Sequence, residues 1–372
     1  MKNNFFICLT FILFPMFSAL CQERARDLGI EIGVMTPGTL NAINDVAGVK
    51  VGHTTLIKGD SVRTGTTAIL PHSGNIFQEK VPAAVFVGNG FGKLAGSTQI
   101  SELGLLETPV ILTNTLSVPT AMNAVIDYTL SLESNEDVRS VNAVVGETND
   151  GYLNDIRGRH LKEADVIAAI ENASENNISE GNVGAGTGTI AFSYKGGIGT
   201  SSRKLPESLG GYTVGVLVQT NFGGVLQIDG MQVGEELGKF SFSRQLLNDV
   251  DGSCMIVVAT DAPLDHRNLE RLAKRAFMGL AKTGGIASNG SGDYVIAFST
   301  AENMRIPYRI ETNTLTQEVV PNDRVTPIFM AAIEATEEAI INSLFMAETM
   351  TGFEGRTVEK LPVEKVMEFI RN

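Results

Sequence analysis

The sequence predicts an α/β fold, and three observations support this prediction. Short runs of β-branched and aromatic residues, bounded by turn formers, alternate with longer segments whose apolar residues recur at helical spacing. Hydrophobic residues make up 43% of the 372 residues, which is ample for a sizeable core. No proline- and serine-rich linker and no internal repeat divides the chain. Taken alone, these observations leave open one large α/β domain or two.

The predicted elements follow one another along the chain. Strands are predicted at 81–87, 109–112, 141–145, 212–218, 254–259 and 294–298. Helices are predicted at 117–130, 163–173, 266–282, 328–346 and 363–370. Ser117 is a suitable cap for the first helix, and Pro119 suits its first turn. The segment 266–282 divides into an apolar and a charged face, which is typical of a surface helix.

The N-terminal segment 1–21 is interpreted as a secretion signal. Lys2 precedes a mostly apolar core at 5–17, and Ala19-Leu20-Cys21 fits a small-x-small cleavage site. The apolar stretch is shorter than the roughly 20 residues that span a membrane. We therefore expect cleavage after Cys21 and export, which leaves 22–372 as one mature domain. An N-terminal anchor and lipid attachment at Cys21 remain alternatives, although Leu20 is bulky for the latter.

The charge and the cysteines exclude several classes of function. A net charge of −13 argues against binding to nucleic acid or anionic membranes, and it favours substrates that carry an amine. Cys254 would be the last cysteine after loss of 1–21, and we interpret it as a small buried hydrophobe. The glycine clusters at 88–92 and 184–188 are interpreted as tight turns without a nucleotide. With no H-E-x-x-H or P-loop motif, we expect neither metal nor cofactor.

The strongest candidate for catalysis is Ser253, which follows Gly252 at the start of a strongly apolar strand. If the Gly252–Ser253 bond were cut, Ser253 would carry a nucleophilic hydroxyl and an α-amine on one residue. An α-amine has a pKa of about 7.7–8.0, which suits a general base near neutral pH. Such a serine needs no histidine, and none of the four histidines lies in a hydrolase motif. The alternative is an ordinary junction between a loop and a strand.

Two further segments place polar side chains at strand ends. Ser291 and Asp293 open the strand at 294–298, and their i, i+2 spacing directs both to one face. Asn221 follows the strand at 212–218, where its amide would donate to an oxyanion. Both segments are also rich in residues that form ordinary turns, so a purely structural role remains the alternative.

The chain resembles the DmpA family, which contains L-aminopeptidase/D-esterases and β-peptidyl aminopeptidases. The resemblance rests on DGSCMIVVATDAPL (251–264) and on blocks that follow in order along nearly the whole mature chain. They are GVKVGHTTL (48–56), TGTTAILPH (64–72), VGNGFGKLAGSTQISELGLLETPVILTNT (87–115), VVGETNDGYLND (144–155), GNVGAGTGT (181–189), VGVLVQTNFG (214–223) and SNGSGDYVIAFST (288–300). The resemblance implies an α-β-β-α sandwich, a fold shared with the ornithine acetyltransferases.

The resemblance also implies roles for single residues. Ser253 matches the nucleophile, freed when the chain cuts itself between Gly252 and Ser253 into 22–252 and 253–372. Ser291 and Asp293 match the family's second serine and its acidic partner, although some members carry glutamate at the latter. Asn221 matches the oxyanion donor and Tyr152 an active-site tyrosine. Apart from these matches, Glu147 is a candidate for binding the substrate's ammonium group, with a surface carboxylate as the alternative.

These expectations describe an exported, self-processing serine aminopeptidase. It would release N-terminal residues from peptides, amides or esters with a free amine through an acyl-enzyme. By resemblance it would be a homo-oligomer, a tetramer of cleaved units. One alternative is an acetyltransferase of the ornithine acetyltransferase type, although those enzymes use threonine at the cut site. A second is a secreted binding protein without catalytic activity. Hydrolysis of an aminoacyl p-nitroanilide would separate the three.

Overall fold

A computed structural model of the chain describes residues 22–176, 178–241 and 252–371. Its strands are β1 (Lys50–Lys58), β2 (Val62–Leu70), β3 (Glu79–Gly90), β4 (Leu94–Ala95), β5 (Leu105–Leu106), β6 (Val110–Asn114), β7 (Val144–Thr148), β8 (Ile190–Ala191), β9 (Tyr194–Lys195), β10 (Ile198–Lys204), β11 (Thr213–Asn221), β12 (Gly252–Thr260), β13 (Ser291–Ser299), β14 (Ile306–Pro307), β15 (Met350–Thr351) and β16 (Thr357–Val358). Its helices are α1 (Ser97–Leu103), α2 (Val118–Ser131), α3 (Glu163–Glu171), α4 (Val233–Glu236), α5 (His266–Lys282), α6 (Thr326–Phe345) and α7 (Val363–Arg371). The predicted signal segment 1–21 lies outside the described residues.

Two sheets form the centre of the described structure. One has five strands in the order β1-β2-β6-β7-β4. The other has seven: the order β10-β11-β12-β13-β3-β14, with β5 also pairing with β3. The second sheet carries the candidate residues Asn221, Ser253 and Ser291 on β11, β12 and β13. In it, β12 runs antiparallel to β11 and parallel to β13. The middle of this sheet is therefore built from the predicted strands at 212–218, 254–259 and 294–298.

The apolar residues form three layers that define the stacking. One cluster joins β12 and β13 to α5 and α6, a second fills the space between the two sheets, and a third joins the five-stranded sheet to α2 and α3. Along β12, Cys254 and Ile256 belong to the helix-facing cluster, whereas Met255 and Val257 belong to the cluster between the sheets. This arrangement is an α-β-β-α sandwich, so the expected fold is confirmed.

The predicted elements are present, with shifted ends. The strand predicted at 141–145 lies at Val144–Thr148, and the helix predicted at 163–173 ends at Glu171. The predicted turn at 88–92 is wrong in its first half, because Gly88 and Gly90 belong to β3. A residue with a side chain would not fit at position 88, because a β-carbon on Gly88 would lie 2.3 Å from the nearest atom of the Phe277 ring. Cys254 is buried, as predicted, and burial raises the pKa of its thiol well above its ordinary value.

Among the helices of the described ranges, none is both long enough and apolar enough to cross a bilayer.

Candidate active site

The register of the seven-stranded sheet places Ser253 beside Asn221. Ser253 is the second residue of β12; its partner on β11 is Asn221 and its partner on β13 is Gly292. Paired residues on neighbouring strands project to the same side of a sheet. Ser253 and Asn221 therefore share the face that is directed toward the second sheet, where Met255 and Val257 are buried further along the strand.

The Ser253 hydroxyl lies against the peptide group that precedes it. It donates a hydrogen bond to the carbonyl oxygen of Gly252, with 2.5 Å between Oγ and the oxygen. Ser253 is only 5% exposed, and β12 begins at Gly252, so both residues of this bond are held by strand pairing. The hydroxyl is thus fixed next to the carbonyl group that the predicted self-cleavage would attack.

Ser291 and Asp293 form the expected pair, but they lie on the opposite face from the Ser253 hydroxyl. The Ser291 hydroxyl donates to Asp293 Oδ1 at 2.8 Å. In the parallel register Ser291 is the partner of Gly252, and Asp293 is the partner of Cys254. A β-carbon on Gly252 would lie 3.3 Å from Ser291 Oγ. The strand pleat therefore directs Ser291 at the backbone of the Gly252–Ser253 bond rather than at the Ser253 hydroxyl. Contact of Ser291 with the amine that cleavage would free stays a prediction.

Asp293 is a buried acid with spare acceptor capacity. It is 1% exposed, and among the described residues its Oδ2 has no hydrogen-bond partner. Burial raises the pKa of this carboxyl to about 6, and hydrogen bonds from the Ser291 hydroxyl and the Cys254 N–H oppose the rise. A carboxyl with a pKa near 6 exchanges protons close to neutral pH, which is a property expected of catalytic groups.

The side-chain amide of Asn221 is oriented by a backbone group. Its Oδ1 accepts a hydrogen bond from the Ile190 N–H at 3.0 Å. Because an N–H needs an acceptor, this contact assigns the oxygen and turns the NH₂ group away from Ile190. Asn221 and Ser253 both line one pocket of about 500 Å³, so the amide donor is available on the same side as the Ser253 hydroxyl.

Glu147 and Tyr152 line the same pocket. Glu147 is 2% exposed; its Oε1 accepts from the Lys93 backbone N–H at 3.0 Å, and its Oε2 accepts from the Thr115 hydroxyl. Tyr152 is 51% exposed, and the guanidinium of Arg356 lies 5.1 Å from the centre of its ring. The structure thus brings Glu147 and Tyr152 into the pocket that holds Ser253.

The pocket also contains residues that the sequence did not single out. Lys93 and Arg356 both line it, and the Lys93 ammonium lies 3.8 Å from Glu147 Oε1. Arg356 comes from the β15–β16 hairpin, which docks through a hydrogen bond from the Phe353 N–H to the Leu153 carbonyl. Lys93 follows the glycine-rich segment 88–92, for which the sequence predicts only a turn. No local pattern would have marked Arg356, because its contact with Tyr152 spans 204 residues.

The described lining of the pocket lacks histidine. None of the four histidines belongs to the residues that line the pocket. Within 22–176, 178–241 and 252–371, no three His, Cys, Asp or Glu side chains are grouped so that they would hold a metal ion. A serine with its own amine as base is consistent with this composition.

Comparison with known proteins supports the resemblance along the whole chain. The model of peptidase family S58 matches residues 41–358. The chain is 43% identical to a β-peptidyl aminopeptidase, BapA, of Sphingosinicella microcystinivorans, over 91% of this chain and 89% of that protein. It is 38% identical to BapA of Sphingosinicella xenopeptidilytica, over 95% and 92%.

A solved structure extends the comparison to the fold. The L-aminopeptidase D-Ala-esterase/amidase of Ochrobactrum anthropi matches with a TM-score of 0.86 and 36% identity, over 94% of this chain and 98% of that one. That protein is described as a prototype of the serine aminopeptidases and a variant of the Ntn hydrolase fold.

The fold and the site thus define a hydrolase of the serine-aminopeptidase class. More particularly, the chain belongs to peptidase family S58, the family of the DmpA-type enzymes. This membership favours the hydrolase over the acetyltransferase and the non-catalytic alternatives.

Proposed function

We propose that the chain is a precursor that cuts its own Gly252–Ser253 bond and then acts as an N-terminal-serine aminopeptidase. The observation that carries this proposal is the Ser253 hydroxyl, held 2.5 Å from the Gly252 carbonyl oxygen at the edge of a pocket. A nucleophile fixed beside its target needs little reorganisation to reach an attacking geometry.

The first reaction is an N-to-O acyl shift. Ser253 Oγ attacks the carbonyl carbon of Gly252, the C–N bond breaks, and the hydroxyl proton passes to the departing nitrogen. Water then hydrolyses the ester, which gives a chain ending at Gly252 and a chain beginning at Ser253. Ser291 lies beside Gly252, so its hydroxyl is placed to bind the new amine or the leaving nitrogen. Asp293 orients that hydroxyl through their 2.8 Å hydrogen bond.

The second reaction uses the freed serine on substrates. The α-amine accepts the Ser253 hydroxyl proton while Oγ attacks the acyl carbon of an N-terminal residue. The Asn221 NH₂ group donates to the oxyanion, and Tyr152 hydrogen-bonds the reacting centre. The leaving amine takes the proton, and water hydrolyses the acyl-enzyme.

We propose that substrates enter with a free amine bound to Glu147. A carboxylate that is 2% exposed and held by two protein donors is positioned for an ammonium ion. The two relatives are named β-peptidyl aminopeptidases, so we propose β-aminoacyl peptides, amides and esters as the substrate class.

Denaturing electrophoresis with N-terminal sequencing tests this proposal. We expect two bands, the smaller beginning Ser253-Cys254-Met255, and a single inactive chain for Ser253→Ala. Ser193→Ala is the matched control, because it removes another hydroxyl from the pocket lining while leaving the cut intact. Normal cleavage of the Ser253→Ala chain at the same bond would show that the nucleophile is wrong.

Export and assembly remain parts of the proposal. We propose that residues 1–21 are removed after Cys21 and that the enzyme acts in the periplasm or outside the cell. Sequencing the N-terminus of the larger band tests this, with residue 22 expected as its first residue.

We propose a homo-oligomer of cleaved units, which light scattering of the processed enzyme would test against a single unit.

A further inference from the structure

We infer that the Glu147–Lys93 pair adapts the pocket to β-aspartyl substrates, in which the residue released carries a free carboxylate next to its ammonium group. The inference rests on the proposed function, because it assumes acyl transfer to Ser253. The inference goes beyond the proposed function because it assigns a role to Lys93. The Lys93 ammonium supplies a positive charge at the position where a substrate carboxylate would lie.

The two charged groups face each other without closing a hydrogen bond. Lys93 Nζ lies 3.8 Å from Glu147 Oε1, beyond the 2.7–3.2 Å range of N–H···O bonds. Lys93 is 55% exposed at its side chain, whereas Glu147 is buried on the pocket wall. An ammonium has three donors and a carboxylate about four acceptor positions, so both groups keep capacity for a ligand.

Among the residues that the structure describes, Arg356 is the second cation that lines the pocket, and it already has partners. Arg356 forms an ion pair with Glu354, and its guanidinium stacks over Tyr152 and Phe353. Of the cations in the described part of the pocket lining, Lys93 is therefore the one better placed to bind an anion. Its distance from Glu147 restricts that anion to a group close to the substrate's amine.

Gly92 lies between the strand neighbour of Ser253 and the Glu147 carboxylate. A β-carbon on Gly92 would lie 3.0 Å from the Cα of Gly292 and 3.2 Å from Glu147 Oε1. Gly292 is the strand partner of Ser253. One glycine thus separates the strand neighbour of the nucleophile from the carboxylate that binds the ammonium.

These features match only some aminoacyl groups. In an ordinary L-α-aminoacyl peptide the α-carboxyl is the scissile carbonyl, so no carboxylate accompanies the amine. In a β-aspartyl group the scissile carbonyl is the side-chain carbon, and one carbon carries both the ammonium and a free carboxylate. That group is also a β-aminoacyl residue, as the relatives' names would require. Its ammonium would bind Glu147 and its carboxylate Lys93.

The reaction itself is the one already proposed. Ser253 Oγ attacks the side-chain carbonyl carbon, the C–N bond breaks, and the leaving amine takes the proton that Oγ gave up. Water hydrolyses the ester and releases free aspartate. No oxidant, metal or further reactant enters the balance.

Three p-nitroanilides test the inference: β-alanyl, β-L-aspartyl, and β-L-aspartyl with its α-carboxylate converted to the amide. The first lacks the extra group, and the third keeps its shape without its charge. A charge-assisted hydrogen bond is worth about 1.5–3 kcal/mol, so we expect the processed enzyme to prefer the carboxylate to the amide by about 10- to 100-fold in kcat/KM.

Lys93→Met should remove most of this preference. Lys274→Met is the matched control, because Lys274 is a similarly exposed lysine paired with a glutamate, Glu270, on α5, and it should keep the preference. A wild-type enzyme that hydrolyses the β-alanyl substrate but handles the acid and the amide equally would overturn the inference. So would a Lys93→Met enzyme that keeps the preference. If none of the three is hydrolysed, the proposed β-aminoacyl specificity fails and the inference fails with it.

Discussion

Burial of Asp293 predicts a measurable link between pH and stability. Its pKa is raised from 3.8 to about 6, chiefly by burial. The folded chain therefore binds this proton more tightly than the unfolded chain does. The stabilisation from protonated Asp293 is fully present below about pH 4 and is lost as pH rises through about 6. A shift of about two pKa units corresponds to roughly 3 kcal/mol of unfolding free energy across that interval.

Asp293→Asn removes the titration while preserving the shape. The new side chain still offers an oxygen to the Ser291 hydroxyl, but its nitrogen takes the place of Oδ2, which has no partner. Leaving that donor unpaired costs about 1–3 kcal/mol at any pH. We expect the variant to be less stable than the parent near pH 4 and equal to it or more stable near pH 8. The difference should change by about 3 kcal/mol over this range.

Urea unfolding measures this difference directly. Both chains should carry Ser253→Ala, so that each unfolds as one uncut chain, and midpoints should be compared from pH 4 to pH 8. Parallel stability curves for the two chains would refute a raised pKa at Asp293. In the active enzyme with Ser253, the same Asp293→Asn change should slow turnover by about 10²- to 10⁴-fold, the usual size of a proton-transfer contribution.

Further outcomes are expected for three variants and one modified substrate. Asn221→Ala should lower kcat by about 10²- to 10³-fold, measured on an aminoacyl p-nitroanilide, as loss of one oxyanion donor does; an unchanged kcat would remove Asn221 from that role. N-acetylation of a substrate should abolish its hydrolysis and Glu147→Gln should raise KM for the free amine, whereas equal rates for acetylated and free substrates would contradict an ammonium site. Gly292→Ala should destabilise the fold by about 1–3 kcal/mol in urea and hinder self-cleavage on gels. The reason is that its β-carbon would lie 2.6 Å from the Cα of Gly92; a normally stable, normally cut variant would contradict this packing.

The strands that carry the site were predictable because they are buried on both faces. Such strands show near-continuous apolar runs, as in 254–259, and these runs identified β11, β12 and β13. β1, β2 and β10 were missed because threonine, serine, glycine and arginine take buried positions in them. In β10, Thr200 donates its hydroxyl to the Val216 carbonyl, and the wholly buried Arg203 is paired with Glu334 and Glu338. Hydrogen bonds across the fold satisfy these groups, and no local sequence window contains their partners.

The contrast between local sequence pattern and contacts across the fold also separates the predicted site residues from the missed ones. Asn221 follows one predicted strand and Ser253 precedes another, so the sequence indicated that they lie near strand ends. The register that pairs them is a tertiary property, and so is the pleat that puts Ser291 on the opposite face. Lys93 was missed because its significance depends on Glu147, which reaches it from another strand of the fold.

The position of β12 explains how one short strand end would serve both proposed reactions, self-cleavage and substrate hydrolysis. β12 lies between β11 and β13, so the Gly252–Ser253 bond has a neighbouring strand on each side. The Ser253 hydroxyl faces the pocket with Asn221, whereas Ser291 and Asp293 approach the same backbone from the helix-facing side. Gly252 permits this approach, since a β-carbon there would lie 3.1 Å from the Cα of Phe222 as well as 3.3 Å from Ser291 Oγ. In the proposed mechanism the pocket side would therefore bind the acyl group. The helix-facing side would bind the nitrogen, first that of the Gly252–Ser253 bond and then the α-amine of Ser253.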